Sequence, residues 1–137
     1  MTELPTRCVI VVDASLPPGR AANAAAVLAL TLGQRHPGLV GEDLVDVDGV
    51  AYPGLIPLGI SVLTASVAQL TDLQARVAGT GIDCVVFPAA GQQTTDYAGF
   101  LAVVATQGVA EFAPVGLALA GPKKLVRKMT GDLSLLG

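Results

Sequence analysis

Between Cys8 and Val12 the chain runs through five consecutive apolar positions, four of them β-branched, with no polar alternation. Such a run predicts a strand buried on both faces. Asp13 ends it, and Ser15 to Gly19 make a Pro-Pro-Gly turn. Pro17 and Pro18 hold φ where a first helical turn needs it. A helix is then predicted from Gly19 or Arg20 to Gln34, stopping before His36-Pro37-Gly38. From Ala21 to Leu32 only Asn23 and Thr31 are polar, so this pattern predicts a helix with almost no face suited to water. A buried strand feeding a buried helix is the expected centre of an α/β sandwich.

The later pattern alternates in the same way. Leu44–Val47 and Val50–Tyr52 flank Asp48-Gly49, a pair favoured in two-residue hairpin turns. Ile60–Leu63 reads as a strand. A helix over Ser66–Ala78 follows, with Val67, Leu70, Leu73 and Val77 at helical spacing. Gly79 and Gly81 end it. Cys84–Phe87 is the next strand, and Gly91–Thr95 a polar loop whose Thr94 or Thr95 can cap a helix from near Asp96 to Thr106. Val115–Ala120 is a fourth strand. Gly121-Pro122 opens a terminal helix that Gly131 closes. Strands alternating with helices indicate one α/β domain over residues 1–137. The expected architecture is a three-layer sandwich, with a mixed, mostly parallel sheet of about four strands and helices on both faces.

Composition narrows this reading. Charged residues are 14% of 137, against about 25% in ordinary domains. No apolar run approaches the roughly 20 residues that span a bilayer. The start, Met-Thr-Glu-Leu-Pro-Thr-Arg, lacks the regions of a signal peptide, so a soluble, cytoplasmic protein is expected. A net charge of −3 disfavours non-specific nucleic-acid binding, which relies on Lys and Arg. So few charges leave a monomer short of polar surface, which predicts a homo-oligomer, most simply a homodimer. The Ala51–Ile60 segment, with Tyr52, Leu55, Ile56 and Leu58, is the expected contact. Cys8 and Cys84 lie inside predicted strands and read as buried free thiols.

Glu42, Asp43, Asp46 and Asp48 cluster in the hairpin without the alternation or distal Glu of a Ca²⁺ loop. His36, the single histidine, reads as a solvent-facing helix end without partners at useful spacing. No metal or cofactor is therefore expected. A Gly-x-x-x-x-Gly-Lys-Ser/Thr loop and Ser-His-Asp or Cys-His constellations are missing from the sequence.

Candidate chemistry gathers where ligands collect in open α/β sheets, beyond the carboxyl ends of parallel strands. Asp13 and the Gly91-Gln92-Gln93-Thr94 loop follow strands, and Arg20 and Asn23 lie near the next helix start. Asn23 either ties down the Pro-Pro turn or reads a ligand; Asp13 either accepts N–H groups from that turn or serves the site. Lys123 and Lys124 occupy the first turn of the terminal helix, where the dipole favours anions. They form either an exposed basic face or an anion site.

The ends of the chain carry a resemblance. Gly121-Pro122-Lys-Lys-Leu-Val-Arg-Lys-Met-Thr130-Gly131-Asp-Leu-Ser-Leu-Leu resembles the terminal segment of type II peptidyl-tRNA hydrolases, where a Gly-Pro turn opens a helix ending in Thr-Gly-x-Leu-x-Leu. Val9–Asn23 resembles their first motif. The chain as a whole resembles an uncharacterised bacterial family of unknown function (DUF2000-type) sharing that fold, with a similar Gly-x-Ala-Ala-Asn turn and Gly-Pro-Lys-Lys ending. This implies a peptidyl-tRNA hydrolase II-like fold. The hydrolases' Gly-Lys-x-Ala-Ala-Gln aligns Asn23 with the Gln, Gly19 with the Lys, and Ala26 with a following histidine. Their Asp-Ala-Gly-x-Thr-Gln aligns its acid with Ala89. The resemblance thus implies the fold without the reaction. Two readings follow: a non-hydrolytic binder of a small polar or anionic ligand, using Asp13, Arg20, Asn23, Gly91–Thr94 and Lys123, or a hydrolase of peptidyl-tRNA-like esters or amides with Asp13 or Arg20 in replacement roles.

Overall fold

The computed structural model describes residues 4–108 and 111–137; the expectation drawn from the first seven residues falls partly outside them. β1 (Arg7–Asp13) is the central strand, and its positions Cys8 to Val12 are all buried. A turn leads into α1 (Pro18–Arg35), with Pro17 as the N-cap and Pro18 in the first turn. A small hairpin of β2 (Leu44–Val45) and β3 (Ala51–Tyr52) follows. Then come β4 (Ile60–Ala65), α2 (Val67–Val77), β5 (Asp83–Pro88), the one-turn α3 (Ala90–Gln93) and α4 (Tyr97–Val104). β6 (Pro114–Gly121), α5 (Lys123–Thr130) and β7 (Ser134–Leu135) complete the chain.

The main sheet has five strands in the order β5-β6-β1-β4-β7, not the expected four. The added strand, β7, pairs only Ser134 and Leu135 with Thr64 and Leu63, too short a run to show a period. Nor is the sheet mostly parallel: β1–β4 is parallel, while β1–β6, β5–β6 and β4–β7 are antiparallel. The β5-to-β6 connection contains helices, yet it returns the chain to an antiparallel neighbour. Helical connections permit a parallel crossover without requiring one.

Side chains alternate across the sheet and separate the core into two halves. Cys8, Ile10 and Val12 face α1 together with Phe87, Ala118 and Ala120. Val9, Val11, Leu117 and Leu119 face Leu70, Leu73 and Val77 of α2 and Val126 of α5. The three-layer arrangement follows, with helices on both faces. β6 is buried at all eight positions. Its Gly116 lets α1 approach closely, because a Cβ there would meet Leu28 Cδ1 at 2.8 Å and the Val11 carbonyl oxygen at 2.9 Å.

Two local expectations need correction. α1 buries only Ala21, Ala24, Leu28 and Leu32. Its opposite face is exposed although apolar, with Val27 41% and Leu30 70% accessible. Alanine tolerates either environment, so an alanine-rich run overstates burial. The hairpin turn is also longer than two residues. Asp46 organises it, its carbonyl accepting from Gly49 N–H (3.0 Å) and its Oδ1 accepting from Asp48 and Val50 N–H (2.9 Å each). Gly49 supplies the left-handed φ of +79°.

Candidate functional site

At the carboxyl end of β1, Asp13 sits beside the entry to α1. Its Oδ1 accepts from Ser15 N–H and Ser15 Oγ, both at 2.9 Å, and its carbonyl accepts from Leu16 N–H at 3.1 Å. This is the local turn an Asp favours through its own side chain. Near the start of α1, Arg20 and Asn23 are exposed.

β5 ends at the same end of the sheet, because it runs parallel to β1 through their shared antiparallel neighbour β6. The segment expected to be a polar loop begins there as α3. Gln92 reaches across to α1: its Nε2 donates to the Arg20 carbonyl at 2.9 Å and to Asn23 Oδ1 at 3.2 Å. The donor assignment is set by this network, since the carbonyl of Arg20 can only accept. Gly91 is required by its neighbour: a Cβ would overlap the Phe87 ring. Thr94 donates from Oγ1 to the Ala90 carbonyl at 3.0 Å. The cap of α4 is Asp96, whose Oδ1 accepts from Gly99 N–H at 2.6 Å, not Thr94 or Thr95.

These segments enclose a hollow of ≈ 260 Å³. Its apolar walls are Val27, Phe87 and Phe100, and its polar side is Thr94, Thr95 and Tyr97, with Gly91 and Asp96 completing it. Tyr97 and Phe100 meet edge to face, with ring centroids 5.8 Å apart. Three of the chain's five aromatic residues therefore converge here. Their clustering between positions 87 and 100 is a sequence signal that the motif reading passed over.

The expected residues do not all converge. Arg20, Asn23 and Gln92 form one contact, and Gly91 and Thr94 line the hollow beside it. Gln93 is exposed. Asp13 is engaged by its own turn. Lys123 lies at the opposite end of the sheet, where its N–H donates to Thr6 Oγ1 at 2.8 Å. β6 is antiparallel to β1, with Gly121 opposite Arg7, so the residue after β6 lies a strand length from Asp13, about 20 Å.

That opposite end holds a polar cluster with no counterpart in the sequence reading. Asp83, at the start of β5, accepts from Arg35 Nε (2.7 Å) and Nη2 (2.8 Å). His36 Nε2 lies 2.8 Å from the same carboxylate. His36 is thus partly buried and paired rather than solvent-facing. The Arg35 guanidinium, and then His36, hold the Asp83 carboxyl below its ordinary range against the opposing effect of burial. Among the described residues no group of three or more His, Cys, Asp or Glu could hold a metal ion. A larger hollow, ≈ 520 Å³, lies between α2 and the residues Gln107, Gly108, Phe112 and Pro114, and involves none of the expected residues.

Fold and site together define a three-layer α/β protein whose mixed sheet ends in a small, largely apolar hollow. The chain belongs to the family described as protein of unknown function (DUF2000), whose model matches residues 6–137. It is similar in structure to a protein of unknown function from Agrobacterium tumefaciens strain C58. The TM-score is 0.87 at 21% identity, over 98% of this chain and 100% of that one. At that identity the likeness speaks for the fold. No curated protein matches the sequence. No helix among the described residues is long and apolar enough to cross a membrane.

Proposed function

We propose that this protein is a non-hydrolytic binder of a small ligand with an apolar body and a neutral polar group, held in the hollow between α1 and α4. The observation that carries the reading is the state of the carboxylates beside it. Asp13 and Asp96 each use Oδ1 to anchor their own segments, Asp13 accepting from Ser15 and Asp96 from Gly99, and Asp13 does not line the hollow. The positions that resemble the hydrolase motif hold Ala89 and Gly19, which supply neither base nor cation. The hollow is slightly below the roughly 300–1,000 Å³ usual for ligand sites, which suits something the size of an amino acid. Neither Arg20 nor Lys123 lines the hollow, whereas Asp96 does, so a neutral polar group fits better than an anion.

In the same reading the fold is of the peptidyl-tRNA hydrolase II type. Support comes from the Gln92–Asn23 contact, which joins two segments that resemble that family across 69 positions. The protein is also read as cytoplasmic and bacterial, on the resemblance and composition alone.

The test has two arms. Incubated with peptidyl-tRNA, the wild type is expected to turn over near background, unchanged in Asp13→Ala. Loss of one oxyanion donor alone would cost about 10²–10³ in rate. In NMR titrations, benzamide should shift Thr94, Thr95 and Phe100 signals, and Val27→Trp, which fills the hollow, should abolish those shifts. Robust turnover lost in Asp13→Ala or Arg20→Ala would install the hydrolase instead.

A further inference from the structure

Asp83 fixes His36 in one tautomer. Arg35 grips both oxygens of the carboxylate, Nε donating to Oδ2 at 2.7 Å and Nη2 to Oδ1 at 2.8 Å. The pairing keeps the carboxyl ionised, so it can only accept. In the 2.8 Å contact between His36 Nε2 and Asp83 Oδ2, the hydrogen therefore lies on Nε2. In the neutral imidazole this leaves Nδ1 as an acceptor with its lone pair uncommitted to Asp83. The His36 backbone is fixed as well, its N–H donating to the Leu32 and Gly33 carbonyls at 3.1 and 3.2 Å.

His36 also lines a hollow of ≈ 340 Å³, with Leu4, Pro5 and Thr6 on one side and the end of β6 with Pro122 on another. That volume lies within the roughly 300–1,000 Å³ usual for small-molecule sites. The chain's own hydrogen bonds hold the walls in place. Thr6 N–H donates to the Gly121 carbonyl at 3.1 Å, and Thr6 Oγ1 accepts from Lys123 N–H at 2.8 Å. A histidine oriented by a carboxylate and set in the wall of such a hollow offers more than a fastening between α1 and β5.

We infer that this hollow is a second small-molecule site, for a neutral compound with a compact apolar body and one O–H or N–H group that donates to His36 Nδ1. The walls select that class. Leu4, Pro5, Ala120 and Pro122 supply apolar surface, and His36 is the only titratable side chain in the lining. As a neutral acceptor it gives an anion no donor. A cation is disfavoured by Arg35 on the other side of Asp83 and by the positive end of α5, whose N-cap Pro122 is part of the wall. The site lies beside Gly121, at the far end of the sheet from the first hollow, so the inference does not rest on a ligand there.

Phenol and toluene, alike in shape and differing in the donor, test it by NMR titration at pH 8, above the ordinary histidine range. Long-range ¹H–¹⁵N spectra should show His36 as the Nε2–H tautomer. Phenol should move the Nδ1 resonance and toluene should not. Read from the Thr6 and Gly81 amide signals, phenol should bind about fivefold more tightly than toluene, the worth of one neutral hydrogen bond. In Asp83→Asn, Arg35 holds the amide oxygen and the amide N–H donates to Nε2, which shifts the ring hydrogen to Nδ1. Phenol should then lose its advantage while toluene binds as before. His36→Phe, which keeps an aromatic ring, should equalise the two probes in the same way. An Nδ1–H tautomer in the wild type, equal affinities there, or a phenol advantage that survives either substitution overturns the inference. An Nδ1 resonance that ignores phenol overturns it too, and means that water alone serves that nitrogen.

Discussion

At the scale of single residues, Asp83 shows how one carboxylate joins distant parts of the chain. It fixes the end of α1 to the start of β5 through Arg35 and His36. Neither residue announces this in the sequence, because the partners are 48 and 47 positions away. A lone histidine beside a helix end gives no hint of a strand folding back against it. The pairing makes a pH prediction. The folded-state pKa of Asp83 is lowered, chiefly by Arg35. The stabilisation is therefore fully present above the unfolded value of about 3.9 and is lost as pH falls through the lower folded value. Asp83→Asn should reduce stability at neutral pH by about 1 kcal/mol, a modest figure because Arg35 is largely solvated and screened. Urea unfolding midpoints of wild type and variant should converge progressively below about pH 4. A gap that stayed constant into acid would show that the carboxylate's charge contributes nothing.

At the scale of elements, legibility followed the strength of local signals. The unbroken apolar run of β1 was readable because a strand flanked on both sides needs it. α2 was readable from its period and its start: Ser66 Oγ accepts from Gln69 N–H at 3.1 Å, and Gln69 Oε1 accepts from Ser66 N–H at 2.9 Å. This reciprocal pair satisfies two N–H groups at the helix start. Ser66→Ala should destabilise the protein by about 1 kcal/mol, measured as a shift in denaturant midpoint without a change in slope. A neutral result would mean that water replaces the cap. By contrast, α3 and β7 were hidden by their length, four and two residues. The exposed side of α1 was hidden by alanine, which marks neither core nor surface. The direction of β6 had no local signal at all, since a strand reads the same whichever way its neighbours run. That one ambiguity moved Lys123 to the wrong end of the sheet, whereas Asn23 and Gln92, on segments that follow parallel strands, were brought into contact.

At the scale of the whole molecule, the order β5-β6-β1-β4-β7 grades the sheet from centre to edge, and the two cysteines sample that gradient. Cys8 lies on β1, hydrogen-bonded to strands on both sides and 1% exposed. Cys84 lies on β5, an edge strand with one partner, and is partly exposed. Burial, aided by the nearby Asp83 charge, pushes its thiol up to about 11. Burial likewise raises the Cys8 thiol. Since the thiolate is the reactive form, both thiols should react slowly with a disulfide reagent while the protein is folded. The reactions should differ in what they require. Freeing β5 breaks one strand pairing, a local opening that exposes modest surface. Freeing β1 separates β6 from β4 and divides both halves of the core, which amounts to global unfolding. In single-thiol variants, Cys8→Ala and Cys84→Ala, the labelling rate of Cys84 should rise shallowly with urea. That of Cys8 should rise with the full slope of equilibrium unfolding, because slope scales with the surface exposed. Equal slopes would mean that β5 opens only with the whole sheet; faster labelling of Cys8 would contradict its central position. The edge strand that carries Cys84 also leads into α3 and α4, so its opening would carry with it the Gln92 contact and the walls of the hollow.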